Sequence, residues 1–211
     1  AIDDQLARKI AAVLRAEVEA VEIASAQSST TEPLDARASY HMGLREMYRF
    51  TRTGLATAQH HLERAVELDP TFAASHARLS YVHIQNYWYG SSESREIALT
   101  DAEVAANLAI ALDPRDSLGH FSLGRVHALR RHFDLAMPQL EAAVGLDPSH
   151  AQAYFGLGQS LWYAGRAKEA IRLLDTAIDL SPHDPHRWSF LHDQSEAYFA
   201  LGQLADAKRS A

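Results

Sequence analysis

A short signature recurs along the chain at Leu68-Asp69-Pro70, Leu112-Asp113-Pro114, Leu146-Asp147-Pro148 and Leu180-Ser181-Pro182. Its prolines stand 44, 34 and 34 residues apart. A repeat of this length means a stack of like supersecondary units, each too small to bury its own apolar face and completed by its neighbours. The residues inside the regular units agree. Leu123-Gly124, Ala136, Leu140 and Ala143 return 34 residues later as Leu157-Gly158, Ala170, Leu174 and Ala177. The glycines and alanines let two helices approach closely, and the leucines fill the space between them. Gly165 is placed to end a first helix in the left-handed conformation. Each proline stops a second helix, because it lacks an N–H and restricts the residue before it.

This pattern of small and large residues resembles the tetratricopeptide repeat family. The resemblance implies an all-α fold, a right-handed superhelical stack of helix-turn-helix units. The expected units run over about 36–72, 73–116, 117–150, 151–184 and 188–211, within an array spanning 35–211. The turn of the first unit, around Phe50-Thr51-Arg52-Thr53-Gly54, reads as three residues longer than standard. The second unit carries ten extra residues near 85–100.

Ahead of the array, Leu6, Ile10, Val13, Leu14, Val18, Val21 and Ile23 recur at mostly three- and four-residue spacing. They predict an amphipathic helix over 1–26, followed by a polar linker over 27–34. Such a helix is a candidate for homodimerisation. The run Asp4-Gln5-Leu6-Ala7-Arg8-Lys9-Ile10, with Tyr48-Arg49-Phe50-Thr51-Arg52, is similar to the C-terminal repeat region of bacterial multidomain regulators. In those, a class III adenylate or guanylate cyclase domain or a winged-helix domain precedes the repeats. No residue matches the cyclase metal-binding or base-recognition motifs. The start at Ala1 and the helical pattern still running at Ala211 suggest a fragment of a longer protein.

Composition narrows the function. Hydrophobic residues make up 47%, enough for a continuous core. No apolar run approaches the roughly 18 residues of a membrane span, so a soluble, cytoplasmic protein without membrane contact is expected. The formal charge of −7 argues against a broad nucleic-acid-binding face, which needs Lys and Arg. The absence of cysteine removes thiolate metal sites and a cysteine nucleophile. There is no phosphate loop, nucleophile elbow or HExxH motif. The chain reads as a non-enzyme with no cofactor.

In the family, first helices line a concave groove that holds a peptide or a helix. Carried onto this sequence, the resemblance places Tyr40, Leu44, Tyr48, Tyr81, Phe121, Arg125, Phe155, Gln159, Trp162 and Tyr163 there, with His192, Glu196 and Phe199 in the last unit. The partner implied is a protein or peptide, and an alternative is the regulation of the chain's own parent. Tyr87, Trp88 and Tyr89 in the insertion form a second expected contact. A carboxylate clamp of the chaperone-binding kind is disfavoured, because Tyr40 and Leu44 stand where it needs Lys and Asn. Twelve histidines raise the question of metal. His76 and His83, and likewise His120 and His127, occupy places where the family carries packed aromatics. They are read as packing residues, and no metal site is expected.

Overall fold

A computed structural model describes residues 4, 6–14, 17, 18, 21, 35–89 and 94–211. The expected linker over 27–34 lies outside them, as do Gly90, Ser91, Ser92 and Glu93 of the insertion. Among the described residues there are helices and turns but no strand. The array runs α1 (Ala36–Met47), α2 (Arg52–Leu68), α3 (Ala73–Tyr89), α4 (Arg95–Leu112), α5 (Ser117–Leu129), α6 (Phe133–Leu146), α7 (Ala151–Tyr163), α8 (Ala167–Leu180), α9 (Arg187–Ala200) and α10 (Leu204–Ser210). Ahead of it, the chain is helical over 6–14. Two compact bodies are present, residues 15–126, and residues 1–14 with 127–211.

Local chemistry sets the helix ends. Asp35, Thr51 and Ser94 cap α1, α2 and α4, their side chains accepting from the backbone N–H of Ala38, Gly54 and Ile97. Such caps satisfy one of the donors that a helix start leaves unpaired. The recurring Asp-Pro signature does more than stop a helix. Asp69, Asp113 and Asp147 each accept a hydrogen bond at 2.9 Å from the backbone N–H two residues on. This local turn fixes the exit from α2, α4 and α6 in one geometry.

The close approach read from the glycines is present in both bodies. A Cβ at Gly43 would come within 2.8 Å of Leu62 Cγ, and one at Gly158 within 3.0 Å of Leu174 Cγ. Ala58, Leu62 and Ala65 of α2, and Ala170, Leu174 and Ala177 of α8, are fully buried against these sites. The core of the first body gathers Leu44, Met47, Leu55, Leu62 and Val82.

The extra residues sit elsewhere than the sequence suggested. The first unit has no lengthened turn: Phe50 at φ 50° lies two residues before α2, as Gly165 and Gly202 lie two before α8 and α10. The three additional residues form one more helical turn at the start of α2. Gly54 belongs to that turn, and a Cβ there would meet Glu46 O at 2.6 Å. The insertion of the second unit likewise lengthens helices, with α3 and α4 each about one turn longer than α7 and α8. All three extensions lie at the same end of the first body. Tyr89 from the added turn of α3 packs against the cluster that holds Leu55 from α2, and Asn86 donates to Gln59 of α2 at 2.9 Å.

Candidate partner-binding surfaces

Most of the groove positions carried over from the family serve the stack itself. In the first body, Leu44 and Phe121 are buried, as is the side chain of Arg125. Tyr40 is half-buried against Phe72, ring centroids 5.1 Å apart. Tyr81 is half-buried with its ring 6.1 Å from that of Phe121. In the second body, Phe155 of α7 lies 4.6 Å from Phe190 of α9, ring to ring. Gln159 donates to the buried Asp193 at 2.6 Å, and Trp162 packs on Ala167, Ile171 and Ala197. These residues are buried or half-buried, so they offer little surface to a partner. Tyr48 and Tyr163 remain open, the latter with its ring 6.3 Å from Phe133.

The added helical turns build an aromatic rim on the first body. Trp88 is 53% exposed and meets Tyr87 edge-on at 5.2 Å. The Arg95 guanidinium lies 5.4 Å from the Tyr87 ring centre, a cation–π distance. Tyr48, at the end of α1, stands at the same end with its ring 6.2 Å from Phe50. Tyr89 alone of the three consecutive aromatics turns into the core.

The last hairpin of the second body has an open side. Trp188 is 70%, Phe199 64% and Leu204 62% exposed, with His192 and Glu196 exposed between them. Trp188 and Leu204 were not singled out from the sequence. The irregular stretch His183–Arg187 hides their register, although a shift of 37 residues from Ala151 and Ala167 recovers it.

The histidines act in packing, with a role the sequence did not disclose. His76 and His120 each donate from Nε2 to the carbonyl of the proline six residues earlier, Pro70 at 2.9 Å and Pro114 at 3.1 Å. Each thus ties a first helix to the turn that precedes it. Burial holds the His83 imidazole below the ordinary histidine range, with Asp101 and Glu63 opposing that fall. Burial would push Glu46 up, but hydrogen bonds from Arg45 and Arg49 hold it below the usual carboxylate value. Burial lifts Asp175, against a hydrogen bond from Gln194. Among the described residues, no three His, Asp or Glu side chains gather as a metal site, and no helix is long and apolar enough to cross a membrane.

A tetratricopeptide repeat family model matches residues 121–185. The solved structure of a thermophilic tetratricopeptide repeat protein in Thermus thermophilus shares the fold, at 20% identity and TM-score 0.66 over 93% of this chain and 98% of that one. The crystal structure of YrrB, described as a tetratricopeptide repeat protein with an unusual peptide-binding site, aligns at 19% identity and TM-score 0.51, covering 89% of this chain and 88% of that one. A putative adenylate cyclase 3 from Rhizobium meliloti (strain 1021) is 31% identical over 139 residues, which are 64% of this chain and 23% of that protein. The chain spans about a quarter of the length of the curated relatives it matches. The family match, the glycine-to-leucine packing of Gly43 and Gly158 and the shared fold agree: residues 121–185 belong to the tetratricopeptide repeat family, and the array around them has the fold of such repeats.

Proposed function

We propose that the array is a non-catalytic protein-interaction module that holds a peptide or helix against the open aromatics of its first helices. The observation that carries this reading is the rim of Tyr48, Tyr87 and Trp88 with Arg95. Exposed aromatics beside an arginine are the usual anchors of an interface, and here three helices are extended to present them. The burial of Leu44, Phe121, Arg125, Phe155 and Gln159 narrows the expected contact to Tyr48, Tyr163 and the insertion. Leading-helix self-association belongs to the same reading. Capture from source-cell lysate, followed by calorimetric titration of the captured protein, tests it. Tyr48→Ser with Trp88→Ala is expected to weaken binding about tenfold or more, with unchanged circular dichroism. Equal affinity for the folded double variant would rule the rim out.

A second reading has the array act on its own parent chain, as the regulatory segment of a multidomain nucleotide cyclase. It is favoured by the 31% identity to the putative adenylate cyclase. In that case the captured partner is a cyclase domain, and titrating the array into that domain changes cyclase activity.

A further inference from the structure

The aromatic rim stands on the basic end of the first body. Arg45 and Arg49, at and just past the end of α1, Arg52 at the start of α2 and Arg95 at the start of α4 are all exposed. Among the described residues at these helix ends, only Glu46 and Glu96 carry the opposite charge. Glu46 does not cancel the charge at the surface. Its side chain is 8% exposed, while those of Arg45 and Arg49 are 42% and 66% exposed. It accepts from Nε and Nη2 of Arg45 at 3.0 and 2.8 Å, and from Nη1 of Arg49 at 3.0 Å. One buried carboxylate thus holds two arginines. It leaves a surplus positive charge, and it leaves N–H donors of both groups that it does not engage.

The carboxylates of the recurring turns stand at the other end of this body. Asp69 and Asp113 follow the far ends of α2 and α4. With 17 residues, α2 is about 25 Å long, more than twice the Debye length of roughly 10 Å at ordinary salt. The chain's net charge of −7 therefore leaves the rim positive. The kind of cation also matters. The described residues of this body include no lysine. A guanidinium held by its own carboxylate, as in Arg45 and Arg49, presents its other donors in a set direction. That geometry suits the paired oxygens of a carboxylate, where a flexible ammonium acts only as a point charge. Exposed Tyr48 and Trp88 beside the arginines supply apolar surface.

We propose that the rim takes an acidic segment of a partner protein, with carboxylates against Arg49, Arg52 and Arg95 and an apolar side chain on Trp88. This rests on the rim being the contact, and it adds the charge of what the rim holds.

Fluorescence anisotropy with the full chain tests this, using three labelled peptides of one length. The first has glutamate and serine in equal parts around a central phenylalanine, and its twins carry glutamine or lysine for every glutamate. The glutamate peptide is expected to bind at low salt and to weaken as salt screens the charges. It should bind about tenfold tighter than the glutamine peptide, the sum of several exposed ion pairs, and the lysine peptide should not bind. Arg52→Ala and Arg95→Ala, both at exposed sites, are each expected to weaken it about two- to fivefold with unchanged circular dichroism. Arg64→Ala, the same charge loss toward the far end of α2, should leave it unaltered. Trp88→Ala should weaken the glutamate and glutamine peptides alike. Equal binding of those two peptides, both weakened by Trp88→Ala, overturns the acidic partner and leaves the rim standing as a contact. Glutamate binding that Trp88→Ala leaves intact, and that Arg64→Ala weakens as much as Arg52→Ala does, is diffuse attraction and overturns both. No binding of the glutamate peptide overturns the proposal. So does binding only to vesicles of phosphatidylserine and phosphatidylcholine that Arg52→Ala weakens, because the rim then faces a membrane surface.

Discussion

Arg131 has φ 64° where the next two repeats have Gly165 at φ 79° and Gly202 at φ 72°. The backbone hydrogen bonds around it match theirs. Arg131 N–H donates to Ala128 O and His132 N–H to His127 O, as Gly165 donates to Trp162 O and Arg166 to Leu161 O. A side chain in this region costs about 1 kcal/mol relative to glycine. Arg131→Gly is therefore expected to stabilise the protein by up to about 1 kcal/mol in urea denaturation, and Gly165→Ala to destabilise it by a similar amount. Gly158→Ala is expected to cost about 1–3 kcal/mol by overpacking Leu174. His83 carries a pH prediction. Its folded-state value lies below the unfolded 6.5, first because of burial, so the unfolded chain takes up the proton more readily. Its contribution is complete above that value and is lost as pH falls through it toward the folded value. Urea melts at pH about 7.5 and 5.5 are expected to show this loss, and His83→Gln to reduce it. His61 shifts in the same direction, by burial and then by its neighbour His60, so the fall is reduced and not abolished.

At the scale of elements, the hairpin pattern was legible because a glycine facing a leucine leaves a fixed mark at a fixed offset. Gly158 and Leu174 could be assigned from spacing alone. The added turns were not legible. Thr51-Arg52-Thr53-Gly54 has the composition of a loop, yet Thr51 caps a helix and Gly54 occupies its first turn because any larger residue would strike Glu46 O. The groove was partly illegible for another reason. A position rule says which way a side chain leaves its helix, but the next helix decides whether it stays open. Phe155 and Gln159 are closed by Phe190 and Asp193, while their counterparts His192 and Glu196 are open. The consecutive aromatics of α3 are expected to separate by role. Tyr89→Ala should lower stability by about 2 kcal/mol through a lost core contact, and Trp88→Ala should leave it within about 0.5 kcal/mol. Chemical denaturation distinguishes the two.

On the scale of the whole molecule, each body is built from hairpins that cover one another's apolar faces. Removing residues 187–211 would uncover Phe155, Gln159 and Trp162 together. Such a truncated chain is expected to bind a hydrophobic dye strongly and to lose about 3 kcal/mol or more in a denaturation series. The extended helices bear on how such arrays can be recombined. The lengthened end of α3 is held on α2, where Tyr89 packs on the cluster that holds Leu55 and Asn86 donates to Gln59. A consensus repeat grafted in place of the first unit would take away Leu55 and Gln59 and leave Tyr89 and Asn86 without these contacts. The first two repeats are thus one transplantable cassette, and shuffling experiments would have to move them as a pair.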